Sequence, residues 1–184
     1  MAKNHNRHSF RLFSRRAAII VYDWIGAVVV ALIAILVLLT YVMRVVGVDG
    51  DSMLPTLHDN DRLILTFSDE KYDPNDIVVI ERYTDAPLIK RVIAVAGDTI
   101  EIVNATVYIN GQPLQEPYIQ GTTVPRDLKG KLLIPPDYVF VMGDNRTDSH
   151  DSRSEDIGLV SVKDIVGRAR WCVWPPSSFG SIYD

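Results

Sequence analysis

The pattern of apolar and polar positions divides the chain into one long apolar run and many short alternating ones. The long run covers residues 24–43, twenty residues without a formal charge. A helix of that length spans about 30 Å, the hydrocarbon thickness of a bilayer. We therefore predict a transmembrane helix over residues 23–46. A basic tail, residues 1–22, precedes it, and a folded region, residues 47–184, follows it.

A cleavable secretory signal is the main alternative to a retained helix. Such signals usually hold about 7–15 apolar residues and end at a site of small residues. Here the apolar run is longer and leads into Met43, Arg44 and Val45, which make a poor cleavage site. A retained anchor is therefore favoured.

The charge distribution predicts an orientation for this anchor. The chain has a formal net charge of −4, yet its first 16 residues carry five basic and no acidic side chains. Basic flanks stay on the cytoplasmic side of a membrane helix. We expect a cytoplasmic amino terminus and a folded region outside. The acidic character of that region argues against a nucleic-acid partner.

The region after residue 47 has short apolar runs separated by turn residues, a pattern typical of all-β folds. Asn104-Ala105 and Asn110-Gly111 read as tight turns, and residues 115–136, with four prolines, as a long surface loop. We predict an all-β domain of coiled antiparallel sheets, barrel- or sandwich-like, behind one helix. Its predicted strands are residues 62–67, 77–83, 89–95, 99–103, 106–110, 138–142 and 165–174.

The first of three clusters that could carry chemistry is the segment of residues 50–57. Ser52 lies between Gly50 and Pro55, on an irregular segment that can display a hydroxyl group instead of packing it. An ordinary loop uses the same residue types. Ser52 is thus a candidate nucleophile with a structural alternative.

The second cluster is the apolar run of residues 89–95, which holds two adjacent cations. Side chains alternate along a strand, so Lys90 and Arg91 point to opposite faces. One of them must therefore lie among apolar neighbours or at a solvent-exposed end of the strand. Burial disfavours the ammonium form of lysine and lowers its pKa, which makes a base near neutral pH. A charged sheet edge is the structural alternative.

The third cluster, residues 143–153, interleaves acids, arginines and serines. Its acids do not follow the spacing of a calcium loop, and arginines stand among them, so a hydrogen-bonded platform is favoured over a metal site. We predict neither a metal nor an organic cofactor. His150 in this cluster, or His58, could also serve a Ser-His-Asp triad, which the sequence leaves open.

Together, in this order behind an anchor, the three clusters resemble bacterial type I signal peptidases, which are membrane-bound Ser-Lys proteases, in their compact Gram-positive form. The resemblance implies that Ser52 is the nucleophile and Lys90 the general base. It implies that Ser149 orients the lysine and that Asp151 and Arg153 form a supporting ion pair. The structural part of the same loop is then Asp144, Asn145 and Arg146.

The resemblance also concerns the groups around the nucleophile. Some members carry a serine hydroxyl at the position of Gly50, so here the oxyanion hole must rest on the Ser52 backbone N–H and a group at Gly50. Met53, Pro55 and Val92 are candidates for the substrate pocket.

As its function, the resemblance implies removal of signal peptides from exported preproteins through an acyl-enzyme, after small residues in an A-x-A pattern. The partners it implies are those signal peptides, the lipid bilayer of a bacterial cell membrane and the nearby Sec translocon. Self-cleaving repressors use the same chemistry but are soluble and bind DNA. A membrane-anchored β-domain that only binds a partner is the alternative from another class.

Overall fold

The computed structural model describes residues 5–41, 43–66, 71–81 and 86–183. One long helix, α1, covers His5–Tyr41. Its segment Ile19–Val37 is long and apolar enough to cross a membrane, with a mean hydropathy of 2.6. The side chains along this segment are exposed, as expected for a helix that would bury them in lipid.

The predicted helix end at residue 46 is wrong. The helix ends at Tyr41, and Met43–Gly47 form the first strand, β1. This strand pairs antiparallel with Arg62–Thr66, β2, so its backbone groups bond across a sheet instead of along a helix. The β-branched Val45 and Val46 favour that choice. The assignment of tail, helix and folded region to cytoplasm, membrane and exterior stays a prediction.

The rest of the chain, residues 43–184, is a compact unit of antiparallel strands, which confirms the predicted all-β fold. Its described residues also include two 3₁₀ turns, Val162–Asp164 and Pro176–Ser178. The remaining strands are β3 (Ile77–Ile80), β4 (Leu88–Ala94), β5 (Thr99–Val103), β6 (Thr106–Ile109), β7 (Gln112–Pro113), β8 (Leu132–Leu133), β9 (Tyr138–Met142), β10 (Val160–Ser161), β11 (Ile165–Trp174) and β12 (Gly180–Ser181).

Within the described parts of the chain, the strands form two sheets. The larger has eight strands in the order β1-β2-β11-β3-β4-β9-β10, with β12 paired to β11, and the smaller has four in the order β7-β6-β5-β8. The predicted strands match these elements within a few residues. Phe67, Arg82 and Tyr83, which the prediction also included, lie outside the described residues.

Both predicted tight turns are present. Asn104 and Ala105 have φ of 48° and 63°, and they join β5 to β6 in a hairpin. Asn110 and Gly111, with φ of 53° and 80°, join β6 to β7. Two consecutive positive φ angles match the twist of the flanking strands, and asparagine and glycine adopt positive φ angles readily.

Strand β4 is the element that positions the site. It lies between β3 and β9 in the larger sheet, and its residues from Ile89 to Ala94 are buried. Two cations inside it must therefore find partners within the protein.

The prediction of a loose loop over residues 115–136 is only partly right. Leu132–Leu133 add a strand to the smaller sheet, and Thr123 is 2% exposed. This segment packs against residues 143–153, which sequence periodicity could not reveal.

Candidate active site

The nucleophile candidate Ser52 lies in an irregular turn between β1 and β2. Met53 and Leu57, each 1% exposed, anchor this turn in the apolar core, and the Leu57 N–H donates to the Met53 carbonyl at 3.0 Å. Ser52 itself is half-buried. The core residues beside it thus fix the turn, while Ser52 keeps part of its surface exposed.

Lys90 meets this hydroxyl group. Its side chain is 3% exposed, and its Nζ donates to Ser52 Oγ at 2.8 Å and to the Ile89 carbonyl at 3.0 Å. The two residues are 38 positions apart in the chain. The structure thus brings together the two side chains that the resemblance selects.

Burial lowers the pKa of Lys90 from 10.5 to about 8, because the ammonium form loses its hydration. The carboxylates of Asp151 and Asp144 oppose this shift, and the guanidinium of Arg153 reinforces it. A substantial neutral fraction therefore exists near pH 8, and neutral lysine can accept a proton.

Arg91, the second cation of β4, binds Asp144. Its Nε and Nη2 donate to the two carboxylate oxygens at 2.8 and 2.5 Å, and both side chains are almost fully buried. Thr56 Oγ1 donates to the same carboxylate at 2.6 Å. The sequence offered both charges but no reason to pair residues 53 positions apart.

Ser149, Asp151 and Arg153 form a second buried group. The Ser149 hydroxyl group donates to Asp151 Oδ2 at 2.6 Å, and Arg153 Nη2 donates to the same oxygen at 2.8 Å. Burial would raise the pKa of Asp151, but the hydrogen bonds and charge of Arg153, with the Ser149 hydroxyl, hold it below its usual value. The ion pair implied by the resemblance is present. The part of Ser149 in orienting Lys90 stays a prediction.

Asn145 and Arg146 hold the surroundings of the nucleophile. The Asn145 N–H donates to the Ser52 carbonyl at 3.0 Å, and its side-chain amide donates to the Asp51 carbonyl at 3.2 Å. Arg146 is fully buried against Glu116 and Thr123, two residues that sequence reasoning missed. Nothing in the sequence marked them, since they belong to the supposed surface loop.

Gly143 lies where three parts of the site meet. A Cβ atom at this position would overlap with Ser149 Oγ and with the Ser52 carbonyl oxygen. Only glycine lets the two loops approach so closely.

Gly50 is the second contributor to the oxyanion hole that the resemblance implies, and this role stays a prediction. Its N–H donates to Asp59 Oδ1 at 3.0 Å, so that group is already engaged. Its φ of 85° lies in the region that favours glycine. The Ser52 N–H, in contrast, has no acceptor among the described residues.

The three pocket candidates lie in different places. Met53 belongs to the core. Pro55 lines a cavity of about 540 Å³, and the buried Val92 lines another of about 200 Å³. Among the described residues, neither lining includes Ser52 or Lys90. The role of these residues in substrate binding stays a prediction.

The alternative of His150 as the base loses its geometric basis. The exposed His150 ring pairs with Asp156 at 2.9 Å, whereas the partner of the Ser52 hydroxyl is Lys90. The carboxylates of Asp144 and Asp151, which the calcium alternative would use, bind arginines instead.

A serine hydroxyl hydrogen-bonded to an amine of lowered pKa is the arrangement of an activated nucleophile. Set on antiparallel sheets, the pair of Ser52 and Lys90 is typical of a serine hydrolase.

Comparisons with known proteins identify the family. Residues 21–174 match the family model described as signal peptidase, peptidase S26. Signal peptidase I S of Bacillus subtilis (strain 168) is 35% identical over 167 residues, covering 84% of this chain and 90% of the relative. Signal peptidase I P of Bacillus subtilis subsp. natto is 38% identical over 162 residues, covering 80% and 85%. The chain belongs to the signal peptidase family, peptidase S26.

Among solved structures, the chain is similar to a signal peptidase I from Enterococcus faecalis V583. The two are 28% identical, with a TM-score of 0.46, and the match covers 55% of this chain and 98% of the other.

The family membership settles the coarse function. The chain is a serine endopeptidase that removes signal peptides from preproteins, and its apolar amino-terminal helix fits a membrane-anchored protein. This excludes the self-cleaving repressor and the non-catalytic β-domain.

Proposed function

We propose that Ser52 and Lys90 form a catalytic dyad that cuts preproteins through an acyl-enzyme. The observation that carries the proposal is the 2.8 Å hydrogen bond from Nζ of the buried Lys90 to Oγ of the half-buried Ser52. Because Lys90 has a pKa of about 8, it can take the serine proton near neutral pH. The other groups of the site then hold these two side chains in place.

The reaction follows from this pair. Neutral Lys90 takes the Ser52 proton as Oγ attacks the scissile carbonyl carbon, and the resulting ammonium protonates the leaving amine. Lys90 then takes a proton from the water that attacks the ester carbonyl carbon. The ester bond breaks as the Lys90 ammonium returns this proton to Ser52 Oγ, and the acid product leaves. The Ser52 N–H stabilises the oxyanion.

For the substrate, we propose small residues at the first and third positions before the cut, the A-x-A pattern. Membership of the signal peptidase family supports this specificity.

Cleavage of a preprotein by purified wild type and Ser52→Ala tests the proposal. The wild type is expected to release the mature protein, and Ser52→Ala to bind but not cut, because among the described residues the Ser52 hydroxyl is the one hydroxyl paired with Lys90. Mass spectrometry of the products locates the cut. A Ser52→Ala enzyme with normal turnover would end the proposal.

For the location, we propose a bacterial cell membrane with the amino terminus in the cytoplasm and residues 47–184 outside, near the Sec translocon. Protease added outside spheroplasts is expected to digest the β-domain and spare an epitope at residue 2, because basic residues keep the tail inside. Immunoblotting reads the result, and permeabilised cells are the control. Digestion of the epitope in intact spheroplasts would reverse the orientation.

A further inference from the structure

Residues 116–127, which we call the strap, contact residues 143–153 at several points. The Gln120 N–H donates to the Asp144 carbonyl and the Arg146 N–H to the Gln120 carbonyl, both at 2.8 Å. At its far end, the Asp127 N–H donates to the Arg153 carbonyl at 3.0 Å. The strap is therefore fixed to this loop along its length.

One ion pair anchors the start of the strap. Both carboxylate oxygens of Glu116 accept hydrogen bonds from the guanidinium of Arg146, and the Nη1 to Oε2 distance is 3.0 Å. The Arg146 side chain is fully buried and that of Glu116 is 6% exposed. Thr123 Oγ1 accepts from Arg146 at 2.8 Å. The buried cation thus takes its compensating charge from the strap.

Arg146 is part of the turn that holds the nucleophile. Its Nε donates to the Gly143 carbonyl at 3.0 Å, which closes the turn of residues 143–146. The Asn145 N–H in this turn binds the Ser52 carbonyl. A path of direct contacts therefore leads from Glu116 through Arg146 and the turn to Ser52.

We propose that Glu116 is a positioning residue for the peptidase reaction. By holding Arg146, it fixes the turn of residues 143–146 and with it the backbone of Ser52. The charges that move the pKa of Lys90 are those of Asp151, Asp144 and Arg153. Glu116 therefore acts on where Ser52 lies and leaves the basicity of Lys90 unchanged. This inference rests on the proposed role of Ser52 as nucleophile.

The test compares the full-length wild type, Glu116→Gln and Glu101→Gln in preprotein cleavage across pH. Because small misplacements of reacting groups cost much rate, Glu116→Gln is expected to lower kcat about tenfold or more. We expect KM to stay within about threefold and the rising limb of the pH profile to stay in place. Glu101→Gln makes the same chemical change on β5, outside the strap, and is expected to leave kcat unchanged.

A merely structural role gives a different result. Ile100→Val, in the core of the smaller sheet, should lower the unfolding midpoint without changing kcat. If Glu116→Gln does the same, the inference is overturned. A shift of the rising limb by about one pH unit would also overturn it, because Glu116 would then act on the charge of Lys90.

Two further variants keep the test decisive. If Glu116→Gln does not fold, Thr123→Val serves instead, because it removes another acceptor of the same guanidinium. This variant should also lower kcat with KM and the rising limb in place, but the loss should be smaller. An unchanged kcat in Thr123→Val overturns the inference.

Ser52→Ala in the same assay separates the two proposals: an active Ser52→Ala enzyme removes the dyad itself. An inactive one beside a normal Glu116→Gln enzyme removes only the role of Glu116.

Discussion

Lys90→Ala, Lys90→Arg and Lys90→His are each expected to lose nearly all turnover. A general base contributes about 10²–10⁴-fold to rate. Arginine keeps the charge but has a pKa above about 12, so it stays protonated and cannot accept the serine proton. Histidine is too short to place its ring nitrogen where Lys90 Nζ meets Ser52 Oγ. Preprotein cleavage under single-turnover conditions measures the loss.

The matched controls are the two histidines of the β-domain. His58→Ala and His150→Ala are expected to stay within about tenfold of wild type, because the Ser52 hydroxyl is paired with Lys90. An active Lys90→Arg enzyme, or a folded but inactive His150→Ala enzyme, would move the base away from Lys90.

The pH dependence of kcat/KM tests the lowered pKa of Lys90. Lys90 works as a base only when neutral, and its pKa is lowered to about 8. The kcat/KM value is therefore expected to rise as pH increases through about 8 and to level off above it. A rising limb at the ordinary lysine pKa would contradict the burial of the ammonium group.

The main expected effect of Asp151→Ala is a lower free energy of unfolding. Arg153 and Ser149 bind its carboxylate in the interior, and the Gly143 N–H donates to it at 3.0 Å. Removing it leaves a buried guanidinium without its counter-charge, which costs about 3–5 kcal/mol of unfolding free energy. Denaturant unfolding of the purified chain measures this loss.

Two variants serve as controls for Asp151→Ala. Ser149→Ala removes one hydroxyl group beside the carboxylate, so it should keep the fold but lose much activity if this serine orients Lys90. Asp156→Ala removes a carboxylate from an exposed pair with His150, and should leave the unfolding midpoint unchanged. Normal unfolding of Asp151→Ala together with full activity of Ser149→Ala would contradict both roles.

The sequence alone was enough for the local elements. A long uncharged run predicts an apolar helix because this prediction depends only on the composition of the run and on no tertiary contact. Alternating residues on either side of Asn104-Ala105 predict a hairpin, since turn and strand signals lie next to each other. The helix end was misread because Met43–Gly47 is apolar enough for either structure. Its pairing with Arg62–Thr66 decides for a strand.

The sequence by itself thus determined the apolar helix, the all-β class, the tight turns and, through resemblance, the choice of Ser52 and Lys90. The resemblance also implied the pair of Asp151 and Arg153, but only the tertiary structure decided which charges far apart in the chain pair. Arg91 binds Asp144 from 53 positions away, and Arg146 binds Glu116 from 30 positions away. The physical reason is that a buried charge is stable only beside its counter-charge, and folding alone brings such distant residues together.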